Sequence, residues 1–297
     1  MTALTVEFAT RNGSLAIRAH SMVVNGNVSI RPDESIGTGQ HQRRLAAILE
    51  ALRGNYYSPP WCDTATQTAL GAYLGRLLWP EAPVSPFQGE LRIVTDDAMI
   101  ASLPWPLMIP TGGTICLAAE GYPVSISLAK PSGDTGLPAK QCKILLIGTD
   151  TDSAVPTKAD DHLPDLAAVL GRHALSYAKT STELIDALRR DPPHVLYFYG
   201  HGTLVGGQLT LHMQDGPLLA TDLAAQLARL PSVRNNLRVI YLNCCWGGTM
   251  DPFGGPKSLA ERVPVLIANR MNALVDVAQL QAIEVMNCLV NEGTPPP

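Results

Sequence analysis

Several features that would place this 297-residue chain in a class at once are absent from its sequence. No apolar stretch approaches the roughly 18 residues needed to span a bilayer. The first twenty residues lack the charged start and apolar run of a signal peptide. The net charge of −4 does not favour a surface for nucleic acid or for an anionic membrane. We therefore expect a cytoplasmic protein that binds neither nucleic acid directly nor a membrane.

The six cysteines lack the spacing of a zinc site. No CxxC pair occurs, and the adjacent pair Cys244-Cys245 would be a poor chelate, so no metal site is expected. In a reducing compartment all six should be free thiols. The GxSxG, HExxH and Walker A motifs are absent as well. The pair Cys244-Cys245 therefore needs another explanation.

The N-terminal region, residues 1–88, contains short strands and two helices. Asn12-Gly13 lies between two apolar runs, which predicts a hairpin. Apolar residues at helical spacing predict helices over 40–54 and 64–78. We expect this region to be either an extra part of the main sheet or a separate docking region.

The main domain is expected to span residues 89–297. Its first segment, 89–108, suggests two strands around Asp96-Asp97, with Trp105 as a core anchor, and residues 123–128 suggest a further strand. Alternating strands and helices then begin at Lys143. Strands are predicted over 143–149, 194–200, 237–243 and 263–268, and helices over 161–171, 181–190, 221–230 and from the last strand to about 291.

This alternation predicts an α/β fold with a mostly parallel central sheet. Continuous apolar strands separated by helices are typical of a sheet that is covered on both faces. Active sites of such sheets lie beyond the carboxyl ends of the strands. The strand ends are therefore the place to look for chemistry.

Two strand ends carry reactive side chains. The strand HVLYFYG runs into His201-Gly202, and the strand LRVIYLN runs into Cys244-Cys245. If the two strands are neighbours, an imidazole and a thiol meet above one sheet edge. A free thiol, with a pKa of about 8.5, holds little thiolate at neutral pH, and a nearby histidine can take its proton. We therefore predict a dyad of Cys245 as nucleophile and His201 as base.

A dyad of this kind also needs donors for the oxyanion, and we assign them to the backbone N–H groups of Gly202 and Cys245. Three other side chains are candidates for a role in the dyad. His194 begins its strand and so lies at the wrong end of the sheet. His212 lies in a predicted hairpin, and the sequence does not fix its distance from Cys245. Cys244 could replace Cys245, but alternation along a strand lets only one of them face His201. The remaining cysteines, Cys62, Cys116, Cys142 and Cys288, are expected to be packing residues.

Two alternative functions remain. The first is a nucleotide-binding α/β protein, since Gly200–Gly206 follows a strand with glycine spacing that resembles a phosphate loop. That function requires a helix starting near Thr203. The sequence after Gly207 alternates like a strand and reaches Asp215-Gly216, a hairpin signal. The second alternative is a non-catalytic interaction module that keeps the fold without the activity.

Three segments together resemble a known family. GELRIVTDDAMIASLPWPLM, HVLYFYGHG and VIYLNCCWGG are similar in kind, order and spacing to the motifs of the CHAT domain, a caspase-like group related to separases and caspases. His201 precedes Cys245 by 44 residues, and caspases place the histidine about 50 residues upstream of the cysteine. The resemblance covers about two thirds of the chain, from residue 90 onwards.

This resemblance implies a caspase-like three-layer sandwich and a cysteine endopeptidase whose dyad needs no third residue. It implies no metal or organic cofactor, although some relatives use calcium. Such proteins often act as regulated effectors, including in bacterial defence. They cleave a partner protein after an activating signal, so a protein substrate and a regulatory protein partner or activating domain are expected.

The specificity pocket is where the chain departs from the family. In the metacaspase branch an acidic residue two positions before the nucleophile helps to bind a basic P1 side chain, and here that position is Asn243. We name Asn243, Trp246 and Asp251 as candidate pocket residues. The family pattern also continues into an alanine-rich helix, whereas this chain ends at Gly293–Pro297, so a shortened C-terminus is expected.

Overall fold

The structure is a computed structural model of the chain. It describes residues 3–11, 14–21, 35–36, 64–78, 90–95, 98–101, 103–122, 124–127, 136–138, 141–151, 156–206, 208–245, 255–269 and 275–292. The chain divides into two compact units, Met1–Lys130 and Pro131–Pro296. Across the described ranges, no helix combines the length and the apolar character needed to cross a membrane.

The first unit is built on a mixed sheet of the order β3-β2-β1-β4-β5. Its elements are β1 Ala3–Arg11, β2 Ser14–Ser21, β3 Ser35–Ile36, α1 Thr64–Leu78, β4 Glu90–Thr95, α2 Ala98–Ala101, a 3₁₀ turn Trp105–Leu107, and β5 Val124–Ser127. β1 and β2 form the predicted hairpin, and helix α1 is also as predicted. The predicted helix over 40–54 lies outside the described residues.

The predicted domain boundary at residue 88 does not coincide with the division between the units. β4 pairs in parallel with β1 from Ala3↔Glu90 to Phe8↔Thr95, and β5 pairs in parallel with β4. These long-range backbone ladders join residues 90–127 to the first unit. Residues 90–95 and 124–127 therefore belong to the N-terminal sheet, and the division between the two compact units follows Lys130.

The prediction of two strands within 89–108 is half wrong. Glu90–Thr95 is a strand, but the chain then forms the short helix α2 and the 3₁₀ turn. Pro104 and Pro106 cannot donate to a strand ladder, which disfavours a second strand there. The fully buried Trp105 donates its indole N–H to the carbonyl of Ile100 at 2.9 Å and so stabilises the compact turn. Trp105 is thus a core anchor, as predicted.

The second unit alternates strands and helices. Its elements are β6 Lys143–Gly148, α3 Ala159–Val169, β7 Ala174–Ala178, α4 Ser181–Arg190, β8 Val195–Tyr199, β9 Gly202–Val205, β10 Gln208–Met213, β11 Gly216–Leu219, α5 Ala220–Ala228, α6 Pro231–Asn236, β12 Val239–Asn243, α7 Gly255–Ala260, β13 Val265–Ala268, α8 Val275–Asn287, and a π-helical turn Cys288–Glu292.

Its central sheet has the order β13-β12-β8-β6-β7, and all the strand pairs that the structure describes in it are parallel. The four predicted strands are confirmed, and so is the α/β class. β7 was not predicted, because Ala174–Ala178 is an edge strand with exposed positions and no continuous apolar run. β8 and β12, which precede His201 and Cys245, are neighbours, as the predicted dyad requires.

Each face of this sheet packs against helices. Leu196 and Phe198 of β8 point to a core formed with α4, α5 and α7. Tyr197 and Tyr199 of the same strand point to the opposite core, formed with α3 and α8. Strands covered on both faces are apolar at every position, which explains the continuous runs in the sequence. The arrangement is compatible with a three-layer sandwich.

Candidate active site

The strand register brings the ends of β12 and β8, which lead to the two candidate residues, to the same level. β12 and β8 pair in parallel up to Asn243↔Tyr199. Cys245 and His201 each lie two residues beyond this last pair, at the carboxyl end of the sheet. Neighbouring strands lie about 4.8 Å apart. The sequence-predicted pair therefore occupies adjacent strand ends.

Gly202 shows how closely these strand ends approach. A Cβ atom built on Gly202 would lie 2.3 Å from the carbonyl oxygen of Cys245 and 2.9 Å from the Sγ of Cys244. Real Cβ atoms essentially never come this near to backbone. The residue after His201 must therefore be glycine for the loop to contact the cysteine pair.

The two adjacent cysteines have different surroundings. Cys244 is 2% exposed and packs in the core that also contains Leu242 and Ile240. Cys245 is only partly buried. Because a substrate must reach the sulfur, this difference in burial favours Cys245 over Cys244 as the candidate nucleophile. Away from the pair, burial raises the pKa of the Cys142 thiol to about 12, so Cys142 is a packing residue, as predicted.

His201 is partly exposed and is held by the antiparallel sheet β9–β11 that follows it. The backbone N–H of His212 donates to the carbonyl of His201 at 3.0 Å. The two imidazole rings stand edge to face, with centroids 6.4 Å apart. The His212 ring itself pairs with the Thr203 hydroxyl through Nε2 at 2.9 Å, and the Thr149 hydroxyl donates to the His212 carbonyl. The structure thus places His212 beside His201, a point that the sequence left open.

His194 lies at the opposite end of its strand, as predicted. Its Nδ1 accepts the backbone N–H of Lys143 at 2.9 Å. Burial, followed by the positive charges of Lys143 and Arg238, lowers the pKa of this imidazole. His194 is therefore a neutral structural residue at the amino end of the sheet.

Asn243, a candidate pocket residue, is 2% exposed and bonded within the core. Its Nδ2 donates to the Tyr197 hydroxyl at 3.0 Å and to the carbonyl of Ala278 at 2.9 Å. Its Oδ1 accepts from Asn269 Nδ2 at 2.7 Å. The other two candidate pocket residues, Trp246 and Asp251, lie outside the described residues.

The nucleotide-binding alternative is not supported at its critical point. The chain after His201 enters strand β9 at Gly202, where a phosphate loop would need a helix N-terminus. Gly206, with φ of +57°, lies in the turn between β9 and β10. Within the described ranges, no group of three or more His, Cys, Asp or Glu side chains could hold a metal ion.

Sequence reasoning missed the polar residues beneath the strand ends. Tyr197 lies in the core and pairs with His162 Nε2 at 2.8 Å, as well as with Asn243. A usable signal was present, because a tyrosine inside a buried apolar strand needs a partner for its hydroxyl. The identity of that partner depends on the packing of α3, which the sequence pattern did not specify. No protein-family model matches this chain, and no curated protein matches it either.

Proposed function

We propose that this chain is a caspase-like cysteine endopeptidase in which Cys245 is the nucleophile and His201 is the general base. The observation that supports the proposal is that the neighbouring strands β12 and β8 are in register and each ends two residues before one of these side chains, with Gly202 close to the Cys244-Cys245 pair. The partial exposure of both residues supports access by a substrate.

The chemistry follows from these roles. His201 takes the proton of the Cys245 thiol, and the thiolate attacks the carbonyl carbon of the scissile peptide bond. Backbone N–H groups of Gly202 and Cys245 donate to the oxyanion that forms. The C–N bond then breaks, and the amine leaves with the proton held by His201. Water, deprotonated by His201, attacks the thioester and releases the acid and the free thiol.

The resemblance to CHAT domains extends this proposal to a biological role. The five-stranded parallel sheet is compatible with the three-layer sandwich that the resemblance implies, and the histidine and the cysteine follow neighbouring strands. On this basis the natural substrate is one partner protein, cleaved by a regulated effector of the bacterial defence or cell-death type. A regulatory protein or activating domain would control the cleavage.

Covalent labelling tests the chemistry without knowledge of the substrate. The protein is treated with a panel of peptide chloromethylketones that differ at P1, and the modified residue is located by peptide mapping. We expect alkylation at Cys245 in the wild type and in Cys244→Ala, and none at residue 245 in Cys245→Ala. His201→Ala should slow the labelling at least a hundredfold. Labelling of Cys245 that is independent of His201 would refute the dyad and favour the non-catalytic module.

A further inference from the structure

We infer that Asn243 is a positioning residue for the dyad, and that it belongs to a buried hydrogen-bond chain that joins the cysteine strand to the histidine strand. The inference rests on the proposed function and deepens it. It replaces the pocket role predicted for Asn243 with a role in holding Cys245 against His201.

The direction of each bond in this hydrogen-bond chain is assigned by counting donors and acceptors. The carbonyl of Ala278 can only accept, so the atom of Asn243 that faces it is the amide nitrogen. The second amide proton then goes to the Tyr197 hydroxyl oxygen. The Tyr197 proton is left for His162 Nε2, and Asn243 Oδ1 receives the amide of Asn269. In this arrangement each side-chain proton of Asn243 and Tyr197 has an acceptor.

This hydrogen-bond chain lies directly beneath the proposed active site. Asn243 is two residues before Cys245 on β12, and Tyr197 is four residues before His201 on β8. Asn269 follows β13, and Ala278 is in α8. One side chain thus links three neighbouring strands and a covering helix at the edge where the dyad stands. A fully satisfied buried network holds its members in one geometry, and a displacement of about 1 Å at reacting atoms can cost a hundredfold in rate.

The same contacts argue against recognition of a substrate by Asn243. Both amide protons are used inside the core, and the side chain is 2% exposed. A pocket residue must offer a free polar atom to its ligand. The polar atoms of Asn243 instead bond to Tyr197, Ala278 and Asn269 within the protein.

Asn243→Asp is the discriminating variant, with the exposed Asn235→Asp as its control for added charge. Aspartate has no proton to donate, and the neutral acid has one where the amide donates two, to Ala278 and to Tyr197, so the end of β12 should shift. The rate of Cys245 alkylation by iodoacetamide is measured by peptide mapping, and kcat and KM are measured on peptides with basic and uncharged P1. We expect at least tenfold slower alkylation and a lower kcat for every P1, with KM within about twofold. Asn235→Asp should match the wild type.

Tyr197→Phe is the second variant, in case Asn243→Asp fails to fold, and Tyr241→Phe is its control. Both lose one hydroxyl from a buried tyrosine on the same sheet face. Only Tyr197→Phe removes a bond to Asn243, so only that variant should slow alkylation, by about threefold or more. Wild-type rates in both Asn243→Asp and Tyr197→Phe, or faster cleavage of basic P1 peptides by Asn243→Asp, would overturn the inference. Cys245 labelling that does not depend on His201 would instead overturn the proposed function, so the two failures are distinguishable.

Discussion

His162 should make the stability of the second unit fall at mildly acidic pH. Its side chain is 2% exposed and accepts the Tyr197 proton at Nε2, so the buried ring is neutral. Burial lowers the pKa of this imidazole from 6.5 to about 4, against a partial opposing effect of Asp165. Between these two values the unfolded chain binds a proton that the folded chain does not. The stabilisation is therefore present above about pH 6.5 and is lost as the pH falls towards 4.

The size of this effect follows from the shift in pKa. A difference of about 2.5 units at about 1.4 kcal/mol per unit amounts to about 3 kcal/mol of unfolding free energy. Protonation of His162 at Nε2 would also place two hydrogen-bond donors, the Tyr197 hydroxyl and the new N–H, face to face. Since whole domains are stable by only about 5–15 kcal/mol, such a loss is large.

Urea denaturation at pH 7 and pH 4, followed by far-UV circular dichroism, measures this loss. His162→Gln is the matched variant, because the amide can still accept the Tyr197 proton but does not titrate. All other groups titrate in both proteins, so the difference between them isolates His162. We expect the wild type to lose about 3 kcal/mol more than the variant between the two pH values. Equal losses in the two proteins would refute the neutral, buried imidazole.

Three further substitutions test other parts of the structure. Gly202→Ala would place a Cβ atom 2.3 Å from the carbonyl oxygen of Cys245. We therefore expect this variant to lose about 1–3 kcal/mol of unfolding free energy in urea denaturation, and its Cys245 should no longer be labelled by chloromethylketones. A stable variant that is still labelled would contradict the close approach. Thr180→Ala removes the N-cap of α4 and should cost about 1 kcal/mol in the same assay with labelling unchanged, whereas Thr180→Ser should keep the stability. Gly75→Ala would set a Cβ 1.7 Å from the carbonyl oxygen of Ile109, so thermal melts should show destabilisation in the first unit, and an unchanged melting temperature would disprove that packing.

Four strands of the central sheet were predictable because burial on both faces makes their sequences almost continuously apolar. Val195–Tyr199 and Val239–Asn243 are buried at every position. Helix α4 was equally predictable, and its capping box of Thr180 and Glu183 depends only on contacts within one turn. β7 was not, because an edge strand needs no continuous apolar run to pair through its backbone.

The domain boundary could not be predicted from local pattern. The pairing of Glu90–Thr95 with Ala3–Phe8 joins segments more than eighty residues apart. Because strands pair through their backbones, the sequence of one strand does not identify the strand that it pairs with. The short helix Ala98–Ala101 and the 3₁₀ turn Trp105–Leu107 are linked through Trp105, whose indole finds its acceptor, the carbonyl of Ile100, only in the folded structure.

The sequence by itself determined the candidate dyad, because strand ends in a parallel sheet converge on one edge and reactive residues there can be recognised from the chain order. Only the tertiary structure decided the roles around it. The strand register aligned the ends of β12 and β8, which lead to Cys245 and His201, and packing placed Cys244 in the core. The packing of α3 and α8 turned Asn243 from a candidate pocket residue into a buried link, because a side chain's partners are set by the elements that cover its face of the sheet.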